Sequence, residues 1–377
     1  MTGIASKKRL RAAISAVSIF LLALGAAIGG ATAASADVPA DFGDVPMDAK
    51  FYSEIMWLAD QQITTGYKDG DFHRTESVSR EAFAAFLYRL AGEPSVSLPS
   101  RSPFKDVSKS DQFYKEIVWL SKKGITTGWS DGTFRPGDKI TREAIAAFLY
   151  RFEGRPSFST PSRSPFKDMT TRSQFFKEVT WLAKSGMTTG YSDGTFRPKI
   201  NVSREAVAAF LYRGNTILDR DGTYRVGSAI PAGTYTSIID EDDGCYWERR
   251  SDSGTSDEGI LGAYYVPGTG RMIVTISASD KYFLTDGCSG WTKIHKTSPT
   301  STSIGDGSHL VGYHMKSGTY SAPGSSDCLW IQLDGFGGEV GSDIDSEWLD
   351  GKPAEVKLSA GQGFTSVGCG TWRRVGS

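Results

Sequence analysis

A repeat of 62 residues constrains this chain of 377 residues more than any other feature. Three copies of a Trp-Leu pair, an Asp-Gly turn and an Arg-Glu-Ala segment follow one another in the same register. Each copy is too small to bury much apolar surface alone, so neighbouring copies must pack together. The sequence therefore predicts three similar modules, which occupy residues 37–92, 103–154 and 165–213.

Each copy is predicted to form two helices separated by a Gly/Asp turn. The apolar spacing of copy two gives a first helix that ends at Gly124, a residue suited to the left-handed backbone found after helices. The equivalent helices end at Gly186 and, in copy one, near Gln62. Thr141 is the predicted N-cap of the second helix, since apolar residues flank it at the spacing of a hydrophobic staple.

The N-terminus, residues 1–36, has a basic start, an apolar stretch and a small-residue end at Ala34-Ser35-Ala36. This pattern is typical of a secretory signal peptide cut before Asp37. An uncleaved anchor helix is the alternative, but the small residues from Gly25 to Ala36 weaken a membrane span. No later stretch is apolar enough to cross a bilayer, so we expect a secreted protein that non-covalent binding holds at the cell wall or cell surface.

Several motifs of the repeats resemble the S-layer homology module. The resemblance covers residues 41–213 and is carried by a Phe-x-Asp start, a first helix that bears a tryptophan, and three segments that are clearest in copy two. These segments are Gly124-Ile125-Thr126-Thr127-Gly128, Asp131-Gly132-Thr133-Phe134-Arg135-Pro136 and Ile140-Thr141-Arg142-Glu143-Ala144. The resemblance implies a helical pseudo-trimer whose grooves between modules bind an anionic secondary cell-wall polysaccharide, often pyruvylated.

The same resemblance implies which residues contact the glycan. By position, the arginine that starts each second helix takes this role, and these arginines are Arg80, Arg142 and Arg204. A guanidinium offers a bidentate fork to a carboxylate, and the helix N-terminus adds partial positive charge. Further candidate groove residues recur in every copy: Trp57, Trp119 and Trp181; Gly66, Gly128 and Gly190; Asp69, Asp131 and Asp193. For the tryptophans a place in the core is the alternative, and for the arginines a structural salt bridge.

The repeats depart from the family pattern in two ways. The order Arg-Glu-Ala replaces Arg-Ala-Glu, so the reciprocal hydrogen bond of a capping box is not expected. Copy one also has Asp71, His73 and Arg74 where copy two has Thr, Arg and Pro. We therefore expect the groove of copy one to be altered.

Net charge differs between the two halves of the chain. Residues 37–213 contain 25 basic and 22 acidic side chains, a net charge of +3, whereas residues 214–377 contain 13 and 21, a net charge of −8. The repeats are thus the part better suited to an anionic polymer, although an ordinary solvated surface would give the same asymmetry.

The C-terminal half has short β-rich runs between Gly, Ser and Asp turns, and it is duplicated. We predict two small antiparallel β modules, residues 219–296 and 304–377. Each contains two of the four cysteines, so duplication favours disulfides Cys245–Cys288 and Cys328–Cys369 among three connectivities. The pattern resembles small disulfide-bonded β modules of secreted actinobacterial proteins, and the residues do not identify the ligand of these modules.

Catalytic and metal motifs are weak. Two Gly-x-Ser-x-Gly segments, 128–132 and 190–194, lie between predicted helices, whereas a nucleophile elbow needs a preceding strand. The acidic run 240–243 lacks the alternating spacing of a calcium loop. No zinc-ligand spacing occurs, and three histidines form no recognisable site: His295, His309 and His314.

The leading hypothesis is a secreted, non-catalytic protein of the cell wall, with no cofactor, no metal and no nucleic-acid partner. Two alternatives stay open. One is a wall-associated enzyme or enzyme subunit with its site in the β half, and the other is a structural surface-layer component.

Overall fold

The computed structural model describes residues 42–239, 244–266, 270–288, 290–294, 301–339 and 343–377. These residues form two compact units, a helical unit that ends at Asn215 and a β unit that begins at Thr216. The predicted fold class, helical repeats followed by two antiparallel β modules, is confirmed. The predicted signal peptide lies outside the described residues. Within the described ranges, no helix is long and apolar enough to span a membrane.

The helical unit contains two helices per copy. They are α1 (Tyr52–Asp60), α2 (Arg80–Leu90), α3 (Tyr114–Lys122), α4 (Arg142–Phe152), α5 (Phe176–Lys184) and α6 (Arg204–Asn215). The predicted helix ends are confirmed: Gly124 and Gly186 follow α3 and α5 with φ of 65° and 80°, and Gln62 follows α1 with φ of 55°. Thr141 caps α4, because its hydroxyl accepts a hydrogen bond from the backbone N–H of Ala144.

A ring of backbone hydrogen bonds joins the three copies. Val78 N–H donates to the carbonyl of Val202, Val202 N–H to that of Ile140, and Ile140 N–H to that of Val78, at 2.9–3.0 Å. Each copy thus donates to one neighbour and accepts from the other, and the chain of bonds closes on itself. The three copies therefore form a cyclic pseudo-trimer.

Helix packing follows the same cyclic order. The first helix of each copy packs on the second helix of the copy before it, so α3 contacts α2, α5 contacts α4 and α1 contacts α6. At each contact a tryptophan meets a tyrosine ring edge to face, with centroids 5.3–5.6 Å apart. The pairs are Trp119–Tyr88, Trp181–Tyr150 and Trp57–Tyr212. Each such pair contributes about 0.5–1.5 kcal/mol beyond the burial of its area.

The β unit consists of two modules with the same topology. The first has β1 (Thr216–Leu218), β2 (Gly222–Arg225), β3 (Gly233–Ile239), β4 (Cys245–Arg250), β5 (Ile260–Val266), β6 (Gly270–Ile276), β7 (Tyr282–Asp286) and β8 (Trp291–Lys293). The second has β9 (Ser303–Ile304), β10 (Gly307–Leu310), β11 (Gly318–Ala322), β12 (Leu329–Leu333), β13 (Asp343–Trp348), β14 (Ala354–Leu358), β15 (Gly363–Val367) and β16 (Trp372–Gly376).

Strand order shows the duplication directly. The first module has antiparallel sheets β1-β8-β3-β6 and β2-β7-β4-β5, and the second has β9-β16-β11-β14 and β10-β15-β12-β13. A disulfide lies in each module and confirms the predicted pairing: Cys245–Cys288 and Cys328–Cys369, with Cα atoms 4.8 and 4.3 Å apart. Closing a loop of this length stabilises a module by roughly 4 kcal/mol in the chain-entropy model.

The two β modules pack through unlike faces. Ile273 on β6 of the first module is fully buried against Leu333 and Phe336 of the second. Ile273 pairs with Thr236 of β3, and Glu355 of β14 pairs with Ser321 of β11. Because β3 and β11 are equivalent strands, Glu355 occupies the position in the second module that Ile273 occupies in the first. This position is charged and exposed in the second module, so the second module does not repeat the apolar face that the first module uses for packing.

Candidate functional site

The three arginines of the repeats extend across the boundaries between copies. Each is the first residue of its helix and donates from Nε to a backbone carbonyl of the next copy in the ring. The bonds are Arg80 to Phe134 at 2.8 Å, Arg142 to Phe196 at 2.7 Å and Arg204 to Phe72 at 2.6 Å. The sequence-predicted arginines therefore lie at three equivalent junctions. We call the surface formed by each arginine and the turn of the next copy a groove.

Three aromatic rings surround each guanidinium. Two are buried phenylalanines, and the third is an aromatic residue of the neighbouring turn. The turn residues are Trp129 beside Arg80, Tyr191 beside Arg142 and Tyr67 beside Arg204, with the guanidinium carbon 4.8–5.9 Å from their ring centroids. Trp129 and Tyr67 are 46% and 45% exposed, so each of these grooves has one wall in contact with solvent.

The three guanidinium groups are buried without a counterion. Their residues are only 6–8% exposed, yet in the described part of the helical unit none of them forms an ion pair with a carboxylate. Burial lowers the pKa of each guanidinium, but arginine stays charged at neutral pH. A desolvated cation without a counterion is costly, so each groove is electrostatically suited to receive an anion.

A second cationic residue stacks on each turn aromatic. Arg135 stacks on Trp129 with its guanidinium carbon 4.1 Å from the ring, and Arg197 stacks on Tyr191 at 4.0 Å. In the third groove the imidazole of His73 stacks on Tyr67, with centroids 4.3 Å apart. All three cationic residues have positive φ, between 55° and 59°, so the turn presents them in the same way.

The predicted aspartates hold these cations. Asp131 and Asp193 accept from Arg135 and Arg197 at 3.0 and 2.9 Å, and Asp69 lies 2.8 Å from Nε2 of His73. The Thr133 hydroxyl and backbone N–H, with Arg135, lower the pKa of Asp131 to about 2. These aspartates therefore remain ionised and position the second cation, rather than offering a free acid to a ligand.

The predicted glycines and tryptophans lie beneath the grooves. A Cβ on Gly128 would lie 2.5 Å from the carbonyl oxygen of Thr133 and 2.6 Å from the Phe104 ring, and φ is +68°. Gly66 and Gly190 are equivalent. The tryptophans are only 1–8% exposed, between helices, which agrees with the core alternative.

Sequence reasoning missed the aromatic and cationic residues of the turns. Their signal is the same 62-residue spacing: an aromatic residue follows the recurring glycine in each copy, at Tyr67, Trp129 and Tyr191. The sequence also left the Phe-x-Asp motif unexplained. In the structure Asp106 accepts from the backbone N–H groups of Phe134 and Arg135 at 2.8 and 2.7 Å, and so fixes the turn.

The altered turn of copy one belongs to a different groove from the one expected. Because each arginine extends into the next copy, His73 and Tyr67 lie beside Arg204 of copy three, and Arg80 faces the unaltered turn of copy two. The sequence pattern identified the altered turn correctly but could not identify its partner. The groove that departs from the others is therefore the groove of Arg204.

The unusual Arg-Glu-Ala order also has a structural role. Glu205 forms an ion pair with Arg74 of copy one at 2.9 Å, and Glu143 pairs with Lys199 of copy three at 2.5 Å. In copies two and three, the glutamate at the second helical position therefore links neighbouring copies.

The weaker motifs do not assemble into a site. Ser130 and Ser192 of the Gly-x-Ser-x-Gly segments lie in exposed turns between helices, and from residue 42 onward no strand precedes either of them. His309 is buried in the β unit, where Arg271 lies 3.2 Å from its Nδ1. The acidic run 240–243 and His295 lie outside the described residues.

Family comparisons agree with this architecture. The fold and grooves define a repeat protein with a helical pseudo-trimer and two disulfide-bonded β modules. Residues 41–84, 103–146 and 165–208 match the S-layer homology domain, and residues 216–292 and 301–373 match the Rv1352-like extracellular domain. The chain therefore carries three S-layer homology domains followed by a tandem pair of Rv1352-like extracellular domains.

Relatives include enzymes as well as anchoring proteins. The chain is 33% identical to an endoglucanase of Bacillus sp. (strain KSM-635) over 44% of this chain and 18% of the relative. It is 29% identical to a cellulosome-anchoring protein of Acetivibrio thermocellus over 39% and 34%, and 27% identical to S-layer protein EA1 of Bacillus anthracis over 49% and 21%. The alignments thus span about a third or less of each relative.

Proposed function

We propose that the helical unit anchors this secreted protein by binding an anionic secondary cell-wall polysaccharide in the three arginine grooves. The observation that carries the proposal is a buried guanidinium that forms no ion pair with a carboxylate among the described residues, repeated at all three junctions. A carboxylate of the polymer, such as a pyruvate ketal, supplies the missing anion. The bidentate fork of arginine matches the geometry of a carboxylate.

The second cation and the turn aromatic extend this site. A sugar ring bearing a carboxylate packs against the exposed part of Trp129, while its acid group reaches the guanidinium groups of Arg80 and Arg135, which both lie against that ring. Three such grooves on one unit allow several units of one polymer to bind together, which raises avidity without any new contact.

The β unit is proposed to be displayed rather than to catalyse a reaction on the wall. Its buried carboxylates, within the described ranges, are engaged in structural contacts. Asp280 accepts from Arg249 at 2.7 Å, Glu248 pairs with Arg250, and Asp306 accepts from the backbone N–H of Cys369 at 3.0 Å. A glycosidase needs two carboxylates that face a sugar across a cleft. A zymogram on cell wall tests this part, and clearing by the purified protein would contradict it.

Binding to walls that differ only in their polymer tests the anchoring function. Sacculi that retain their acidic polysaccharide should sediment the mature protein, whereas sacculi stripped of it with hydrofluoric acid should leave the protein in solution. Retention should weaken as salt rises, because the attraction is partly electrostatic. Equal retention on both preparations would show that the polymer is not the ligand.

A further inference from the structure

The three grooves differ in the charged residues of their turns: at Arg204, Asp71, His73 and Arg74 replace the Thr, Arg and Pro of the other two grooves. Two of them place an arginine on the turn aromatic, and the third places His73 there, at the same backbone conformation and with the same kind of aspartate partner. Arginine is charged at every physiological pH, whereas histidine changes its charge between about pH 5 and 8. One groove therefore has a titratable second cation.

We propose that His73 sets the charge of the groove at Arg204, so that this groove binds anionic wall polymer more tightly in mildly acidic solution than in alkaline solution. This inference rests on the proposed function and specifies how one of the three sites is regulated. The other two grooves keep the protein on the wall at either pH.

The surroundings of His73 favour its cationic form. Nε2 lies 2.8 Å from Asp69 and Nδ1 lies 3.1 Å from Glu76, so both ring nitrogens face a carboxylate oxygen. The hydrogen bond with Asp69, followed by weaker contributions from Glu76, raises the pKa of the imidazole above its usual value. The cation is thus fully present below the usual pKa of histidine and is lost as pH rises through the raised pKa.

Other charged groups near this groove do not change in the same way. Arg204 stays charged. Arg74 forms an ion pair with Glu205, which follows Arg204 in α6. The remaining charged or titratable groups are Tyr67, Asp44, Glu76 and Arg89 around the arginine, and Asp71, which has a carboxylate oxygen within 4.8 Å of a ring nitrogen of His73. Of the four histidines in the chain, His73 is the one within residues 42–215.

The structure also provides a substitution that the fold accepts. Arg135 and Arg197 occupy the position of His73 in copies two and three, with the same left-handed backbone and φ of 59° and 56°. His73→Arg therefore introduces the residue that the other two copies have at this position. The reciprocal change, Arg135→His, is the matched control, because it converts an arginine groove into the histidine type.

The test measures binding of the full mature chain to sacculi that retain their acidic polysaccharide, at about pH 5.5 and about pH 8.5. We expect the affinity of the wild-type protein to fall about three- to tenfold over this range, the scale of one exposed charge-assisted contact. His73→Arg should bind like the wild-type protein at the lower pH and more tightly at the higher pH. Arg135→His should make the fall steeper.

Each outcome bears on the inference. An unchanged pH profile in His73→Arg would overturn it, and so would a profile for Arg135→His that matches the wild type. Glu81, whose pKa is raised mainly by burial, is present in all three proteins and therefore cancels in the comparison. Failure of every protein to bind at both pH values would overturn the proposed function as well, whereas tight binding without pH dependence would overturn this inference alone.

Discussion

Replacing one groove arginine by alanine should weaken wall binding strongly and stability only modestly. The ligand contact is a charge-assisted hydrogen bond worth about 1.5–3 kcal/mol, which corresponds to about 10- to 100-fold in affinity for an occupied groove. Arg142→Ala also removes the 2.7 Å bond from Nε to the carbonyl of Phe196 and the stacking on Tyr191. Removing a buried, uncompensated charge offsets part of this structural loss.

The structural cost should appear as a small shift in melting temperature. A net loss of about 1–2 kcal/mol lowers the melting temperature of a unit of this size by about 2–8 °C. Arg151→Ala is the matched control, because Arg151 lies in the same helix and donates to the carbonyl of Ile125 at 3.2 Å, within its own copy. The control should lose similar stability while retaining wall binding.

The three arginine variants should differ in a defined order near neutral pH. Arg80→Ala and Arg142→Ala remove the central cation of grooves that keep a second arginine, so both should show the full loss. Arg204→Ala should show a smaller loss, because its groove contains His73 as the second cation. The assay is a binding isotherm on sacculi, paired with a thermal melt of every variant.

Two results would refute this reasoning. If all three variants bind as tightly as the wild-type protein while folded, the arginines do not contact the polymer. If Arg151→Ala loses as much binding as Arg142→Ala, the losses reflect stability and not the groove.

Three further predictions concern the framework around the grooves and in the β unit. Gly128→Ala should lower the free energy of unfolding by about 2–4 kcal/mol, measured by thermal melting, because the new methyl group meets a backbone oxygen at positive φ. A change below about 0.5 kcal/mol, as for a neutral surface substitution, would contradict the close packing. Ile273→Asp should destabilise the β unit by about 3–5 kcal/mol, whereas Glu355→Ala at the equivalent exposed position should change stability by less than about 0.5 kcal/mol. Similar effects of the two substitutions would contradict the packing of the two modules through unlike faces. Non-reducing peptide mapping of the secreted protein should link Cys245 to Cys288 and Cys328 to Cys369, and free thiols or a link between modules would contradict the pairing.

Local signals account for what the sequence predicted correctly. A helix end at Gly124 and an N-cap at Thr141 depend on a few neighbouring residues, so the pattern within one copy was sufficient. The disulfides followed from duplication, since each module must bury its own pair of cysteines.

The composition of each groove depends on the closed ring, which no local pattern encodes. Arg204 meets Tyr67 and His73 because copy three packs on copy one, although about 130 residues separate them along the chain. The same periodicity marked the tryptophans and the arginines, but their surroundings distinguish them: the indole rings lie between helices, and the guanidinium groups lie beside the turn aromatics, of which Tyr67 and Trp129 are exposed.

The most direct test of the anchoring role separates the two units. The helical unit ends with α6 at Asn215 and the β unit begins at Thr216, so fragments 37–215 and 216–377 keep each unit intact. Both fragments are incubated with sacculi that retain their acidic polysaccharide and are then sedimented. We expect the helical fragment in the pellet and the β fragment in solution. Sedimentation of the β fragment alone would contradict the assignment of wall binding to the three arginine grooves.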